Sequence, residues 1–309
     1  MSETPASPPG AQARAAAALA IAALEGVSRL PEPLLLAVAR AWGRIGPLLQ
    51  PARAARGREG LARIFAHRDG AAPSRAALDA AVRGLFEHHL RFYIETARAP
   101  RHARRIIAER VDLEDAAAVD RAFAPGTGAA IFLAAHFGAI ELPGGILSQR
   151  SGRTPVAPME ELANPRLQEW MLRVRGEGLG LKIVPARGAA TTLNQTLASG
   201  GIVGIVGDRN VAGSGVAVQL FGAPARLPIG PALLAVESGA RLFVAAVVRE
   251  PGNRYTGYLR QVAVPAEGDR MARSRVVLQG VAAAFEELIA KAPEQWWTLF
   301  YRIWDDQRT

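Results

Sequence analysis

Residues 129–147 read AAIFLAAHFGAIELPGGIL, an apolar run that closes on His136 and is followed five residues later by a lone acid, Glu141. The chain has only five histidines, so one at the end of a strand-like run invites a chemical reading. A carboxylate held against one imidazole nitrogen fixes the tautomer and stabilises the imidazolium, and the other nitrogen then takes a proton from a hydroxyl. A strand-to-helix turn would let Glu141 supply that carboxylate. As a bare pattern, His-x4-Glu arises by chance in many chains, and a core histidine near a turn is the plain alternative.

Two further stretches carry reactive or charged side chains. GIVGIVGDRN ends a second apolar strand on Asp208 and Arg209. Sites in α/β sheets gather at the carboxyl ends of strands, so this pair is expected on the same edge as His136; a solvated loop pair is the alternative. RVRGEGLGLKIVPARG brings Arg173, Arg175, Lys182 and Arg187 around a third strand. They are either solvated or together form a site for an anion, such as a phosphate or a phosphopantetheine-bearing donor. Arg175 is further expected to find its acceptor in Asp208, near His136. His88 and His89 are adjacent on a helical stretch, point in different directions, and read as ordinary helix-face residues. No metal is expected, because the histidines lack ligand spacing, and no cofactor is implied. The chain has no cysteine, which removes disulfides and a thiolate nucleophile from consideration.

The elements that must position these residues fall into two textures. Residues 1–10, MSETPASPPG, read as a disordered tail. Residues 11–122 read as helical: prolines suit a helix start in PEPLLLAVARAWGRIGPLL, and Ser74 is placed to cap SRAALDAAVRGLFEHHLRFYIETARA. The apolar run from Ala15 to Leu24 is about half of the ~20 residues a membrane span needs, so no transmembrane segment is expected. From residue 123 onward, short β-rich runs alternate with helical ones. The strand runs are GAAIFLAAH, TPVAPM, LKIVPA, GIVGIVGD, RLFVAAVVRE and YLRQVAV. Such alternation predicts an α/β core, with a mixed central sheet flanked by helices over 123–309 and an N-terminal helical extension. The stretch after Asp208 reads as a loop, and LPGG is expected to interrupt the helix after Glu141.

The net charge is +9, and only two of the 37 basic residues are lysine. GC-rich coding composition accounts for such an Arg-rich, Ala-rich chain. An anionic membrane surface or an anionic substrate is the functional alternative. Nucleic acid is the weakest partner, because no compact basic block is interleaved with aromatics.

Taken in order, AAHFGAIELPG, NPRLQEWMLRVRGEGLGLKIVP, GIVGDRN with GVAVQLFGAPARLPIGPALLAVESGA, and APEQWWTLFYRIW resemble the lysophospholipid acyltransferase superfamily. The branch they resemble is that of the lipid A late (lauroyl/myristoyl) acyltransferases and the phosphatidylinositol mannoside acyltransferases, over about residues 20–305. The resemblance implies a glycerolipid acyltransferase-like core. The enzyme would move a fatty acyl chain from acyl-CoA or acyl carrier protein to a hydroxyl of a membrane glycolipid or lysophospholipid. It also implies His136 and Glu141 as the catalytic dyad, with Arg175, or its neighbour Arg173, and Asp208 and Arg209 toward the donor. Phe221 and Arg226 fall in the segment that lines the acyl site. Backbone N–H groups near Gly138 are the expected oxyanion donors.

The expected setting is peripheral, on the cytoplasmic face of the inner membrane. Lipid A enzymes of this branch carry an N-terminal membrane span that is not expected here, which leans toward the mannoside enzymes. Their asparagine–leucine pair is Gly60–Leu61 in this chain. A thioesterase using the same dyad with water, and a non-catalytic lipid-binding relative, are the alternatives.

Overall fold

The computed structural model describes residues 11–124, 126–210 and 215–307, with side chains from residue 15. The expected disordered tail and part of the RNVAGSG loop lie outside them.

Four helices come first: α1 (Ala11–Val27), α2 (Glu32–Leu49), α3 (Pro51–Asp69) and α4 (Arg75–Arg110). Ser74 caps α4, accepting the Ala77 N–H at 3.2 Å. Leu35, Ala39, Gly43 and Gly46 form the buried stripe of α2, spaced three and four apart, and α2 packs along α4. Its opposite face leaves Leu34, Val38, Ile45 and Leu48 exposed. Arg40 and Arg44 are exposed on the same helix. No helix among the described residues is long and apolar enough to cross a membrane.

The chain then alternates as β1 (Val111–Leu113), α5 (Ala116–Phe123), β2 (Ala130–Ala134), α6 (Leu142–Ser151), β3 (Val156–Met159), α7 (Pro165–Leu179), β4 (Lys182–Pro185), α8 (Ala189–Ala198) and β5 (Ile202–Val206). It continues with β6 (Val216–Leu220), β7 (Ala223–Leu227), α9 (Gly230–Ser238), β8 (Arg241–Glu250), β9 (Arg254–Val262) and α10 (Arg270–Ile289). A seven-stranded sheet has the order β1-β9-β8-β2-β5-β3-β4. Its pairings are parallel except for β8 with β9. The mixed α/β sheet flanked by helices is therefore present, with an N-terminal helical region. The central strand β2 is buried along its whole length, as a strand covered on both faces must be.

Three local expectations change. Residues 111–113 form an edge strand, not helix. The stretch after Asp208 contains a hairpin, β6 with β7, whose two-residue turn holds Phe221 at φ 51° and Gly222 at φ 71°. Positive φ at both turn positions matches the strand twist. LPGG does not break α6; it forms the first turn, where proline lacks nothing that the helix needs.

One core joins the two textures of sequence. Leu61 and Ile64 of α3, and Leu85 and Phe86 of α4, share a buried cluster with Ile131 of β2 and Val203 of β5. At Gly178 of α7 an added Cβ would lie 2.8 Å from the Pro100 nitrogen of α4. Glycine there lets α7 lie directly on α4, and this contact carries Arg175 toward the sheet edge.

Candidate active site

His136 and Asp208 meet because of strand register. Parallel pairing sets Ala134 of β2 opposite Val206 of β5, and each residue lies two positions beyond its member of that pair. The imidazole Nδ1 lies 2.7 Å from Asp208 Oδ1. The other carboxylate oxygen, Oδ2, accepts three hydrogen bonds: from the His136 backbone N–H at 3.0 Å, the Trp296 indole N–H at 2.8 Å and the Thr298 hydroxyl at 2.7 Å. The Asp208 side chain is fully buried. Burial works to raise its carboxyl, but the facing His136 charge and the hydrogen bonds from His136, Thr298 and Trp296 outweigh it and hold the group at about 2. An ionised carboxylate only accepts, so Nδ1 carries the proton. In the neutral form of the ring the lone pair is then on Nε2, and no hydrogen bond from a described residue reaches that atom. The imidazole is 21% exposed and rests edge-on against Trp297, with ring centroids 4.4 Å apart. Such a ring is set up to take a proton at Nε2.

Glu141 does not hold this imidazole. The turn between them is tied toward β8 by the Ala139 N–H, which donates to the Val247 carbonyl at 2.7 Å. Glu141 then starts α6 and faces α4 and α7. Its Oε1 accepts from Arg175 Nε at 3.0 Å and Nη2 at 2.8 Å, and from the Thr96 hydroxyl at 3.1 Å. A buried carboxylate requires such partners. The expectation that Arg175 would use Asp208 as its acceptor is corrected by the same contacts. Arg173, the alternative, is exposed on α7, as are Lys182 and Arg187 beyond it.

The backbone donors near Gly138 are also engaged. The Phe137 N–H donates to the Ala135 carbonyl at 2.7 Å, and that of Gly138 to the Gln295 carbonyl at 3.2 Å. Gly138 takes φ +60°, and an added Cβ would lie 2.1 Å from the Val247 oxygen. This turn is fixed by close packing, and its amides serve the fold.

One space borders Asp208 and another borders Glu141. On the Asp208 side lies a cleft of about 480 Å³, bordered by Arg209, Asn210, Arg226, Arg302 and Tyr301. The Arg209 guanidinium sits over the Tyr301 ring at 4.2 Å, and Arg226 bonds Asp305 at 3.2 Å and the Gly215 carbonyl at 3.2 Å. On the Glu141 side lies a narrow space of about 30 Å³ between α2 and α4. Its wall mixes aliphatic Leu35, Leu36, Ile94 and Ile106 with charged Glu32, Arg91, Glu95 and Arg98. Phe221 borders neither space; it is buried at the hairpin turn, 6.2 Å from Trp296.

His88 and His89 are not ordinary surface residues. Burial, then Arg249 and Arg91, hold His88 well below the usual histidine range. Burial, then Arg53, brings His89 down to about 4. The His89 ring packs among Tyr93, Trp297 and Phe300.

Sequence reasoning missed Thr96, Trp296, Trp297 and Thr298. The signal for three of them is visible in hindsight: the chain has five tryptophans, and two adjoin in EQWWT, a sparse residue type concentrated next to a threonine.

Residues 11–305 match the family described as bacterial lipid A biosynthesis acyltransferase. Phosphatidylinositol mannoside acyltransferase of Mycobacterium tuberculosis is 30% identical over 246 residues, covering 77% of this chain and 73% of that protein. The protein of the same description from Mycolicibacterium smegmatis is 30% identical over 170 residues, 53% of this chain and 55% of its own length. The chain belongs to the bacterial lipid A biosynthesis acyltransferase family.

Proposed function

We propose that the protein transfers a fatty acyl chain from a thioester, on CoA or acyl carrier protein, to a hydroxyl of a membrane glycolipid of the phosphatidylinositol mannoside type. The observation that carries this reading is the His136–Asp208 pair, with its unengaged Nε2 at a sheet edge where Asp208 also borders an arginine-lined cleft. His136 Nε2 takes the acceptor hydroxyl's proton as that oxygen attacks the thioester carbonyl carbon. The C–S bond then breaks, the ester forms, and the imidazolium returns its proton to the departing thiolate. Asp208 holds the ring and stabilises its cationic form. No acyl-enzyme is required.

The aliphatic residues between α2 and α4 suit an acyl chain once α2 shifts to widen the narrow space there, and Arg209, Arg226 and Arg302 suit the donor's phosphates. Glu141 and Arg175 brace the wall between α4, α6 and α7. The exposed stripe of α2, with Arg40 and Arg44, suits an anionic bilayer surface at the cytoplasmic face. Arg53 contributes less there, because its guanidinium lies over the Phe300 ring at 4.3 Å. Residues 11–122 then form the membrane-facing part and 123–309 the acyltransferase core. The description of the mycobacterial relatives supports the choice of acceptor.

The exposure of the imidazole supports a second reading, a thioesterase in which water replaces the acceptor hydroxyl. The test is thiol release from a long-chain acyl-CoA by purified protein on anionic vesicles, with and without phosphatidylinositol mannoside. Release that depends on the acceptor, yields acylated glycolipid and falls ~10²–10⁴-fold in His136→Ala is the expected result. Equal release without acceptor gives the thioesterase, and a fully active His136→Ala rejects both.

A further inference from the structure

The geometry points to Thr298 as a positioning residue of the acyl transfer, acting through Asp208 to fix the orientation and basicity of His136. The proposal rests on His136 being the base.

The C-terminal segment is bound to the sheet edge at successive residues. Gln295 is buried, and its side-chain amide pairs with the backbone of Arg249 in β8: Oε1 accepts the Arg249 N–H at 2.9 Å, and Nε2 donates to the Arg249 carbonyl at 2.8 Å. Its own carbonyl accepts the Gly138 N–H. Phe137 and Trp296 form an antiparallel bridge. The segment is thus clamped both to β8 and to the turn that follows His136, and two of its side chains end on one oxygen, Asp208 Oδ2.

Trp296 and Thr298 differ in what else they do. The Trp296 ring is fully buried and packs on Trp304 and Phe221, so its removal opens the core. Among the described residues, the 2.7 Å hydrogen bond to Asp208 is the one the Thr298 hydroxyl makes, and Thr298 also borders the arginine cleft. It is 1% exposed, so water does not replace the hydroxyl when it is removed. A hydrogen bond to a charged acceptor withdraws charge from that acceptor and holds its geometry. With it, Asp208 Oδ1 stays aimed at Nδ1 while Oδ2 is saturated. Without it, Oδ2 keeps, among the described residues, only the His136 and Trp296 N–H donors, so the carboxylate is held less firmly and becomes more basic; it then holds the imidazolium more tightly and makes Nε2 slower to give its proton to the leaving thiolate. The groups facing Asp208 are His136, Trp296 and Thr298, with Arg209 next in the chain and turned onto Tyr301.

Thr298→Val keeps the shape and removes the hydroxyl; Thr298→Ser keeps the hydroxyl and loses a methyl. In full-length protein with a long-chain acyl-CoA and phosphatidylinositol mannoside, Thr298→Val is expected to lower kcat ~10-fold or more, the size of a hydrogen bond to a charged group. Donor KM should stay within about twofold, as for an interaction that serves the transition state. The acid limb of the pH–rate curve should move to higher pH, and Thr298→Ser should restore kcat and limb together. The ring-nitrogen NMR shifts of His136 should change in Thr298→Val and return in Thr298→Ser, a readout that requires no turnover. A Thr298→Val protein with unchanged kcat, pH profile and His136 shifts overturns the proposal. So does a kcat loss without a moved limb that serine leaves unrepaired, since that is a packing effect. If Thr298→Val moves the His136 shifts but His136→Ala still turns over normally, the assignment of the base fails instead.

Discussion

Two carboxylates compete for the role of partner to His136, and the one five residues away loses to the one 72 residues away. Asp208 sits opposite His136 in a parallel register, so two adjacent strands deliver both side chains to one edge with no freedom left over. Glu141 lies beyond a turn whose amides are tied to β8 and to the C-terminal segment. It leaves that turn facing two helices, where Arg175 and Thr96 receive it. Closeness along the chain counts for less than strand register when the intervening turn has its own hydrogen bonds to make.

The comparison breaks most sharply in turnover. Asp208→Asn removes the charge that sets the tautomer and stabilises the imidazolium, and it should cost ~10²–10⁴ in kcat, close to His136→Ala. Glu141→Gln should lower kcat less than tenfold and act mainly on the fold, because it leaves the Arg175 guanidinium without its carboxylate. Breaking such a buried pair costs about 3 kcal/mol; Arg175 keeps some exposure, so the loss seen in urea unfolding should be somewhat smaller. Arg175→Met with Glu141→Gln should recover part of it, as expected for coupled neighbours. Equal kcat losses in Asp208→Asn and Glu141→Gln would erase the distinction.

Much of the fold was legible, and the reasons why are local. Strands β2, β5 and β8 are near-continuous apolar runs, and burial on both faces demands such runs. His136 and Asp208 were legible as strand-end residues for the same reason. Their pairing was not, because nothing in either stretch encodes strand order or register. Arg175 could be separated from Arg173 only once α7 had docked on α4, since the two lie on opposite faces of one helical turn. The β6–β7 hairpin hid because its turn is Phe-Gly, with a bulky residue at positive φ, where Asn-Gly or Asp-Gly is the usual sign. Thr298 and Trp296 hid because a short segment without helix or strand periodicity gives the reader no face to assign.

Acid should separate the aromatic cluster from the Asp208 carboxylate. His89 is held at about 4, below its unfolded value of ~6.5. The unfolded chain therefore binds the proton first as pH falls, and stability drops from ~6.5 until pH passes about 4. For His89 alone this is about 3 kcal/mol, and His88 adds to the loss from the same upper limit. Asp208 has a depressed carboxyl, so its contribution is complete above ~4 and is lost as pH falls through about 2. His89→Phe should flatten urea-unfolding stability between pH 6.5 and 4 and leave the lower window in place. Asp208→Asn should do the reverse. A single acid transition unmoved by either change would contradict the separation.

The smallest expected effect distinguishes the cleft beside Asp208 from the space beside Glu141. The cleft beside Asp208 carries exposed cations, whose contacts with a phosphate are screened and modest. Arg302→Ala should raise the KM for acyl-CoA about three- to tenfold, roughly a kcal/mol of binding. It should leave kcat and chain-length preference unchanged, and the KM difference from wild type should shrink in added salt. The space beside Glu141 is the proposed chain side, with Leu35, Leu36, Ile94 and Ile106 on its wall, so Ile106→Trp should shorten the preferred acyl chain without changing the salt dependence, because each methylene denied burial costs ~0.8 kcal/mol. The two substitutions should be additive in kcat/KM, since a headgroup contact and a chain contact share no neighbour. If Arg302→Ala changed chain preference, or Ile106→Trp changed the salt dependence, the division of the donor between a charged side and an apolar side would be lost.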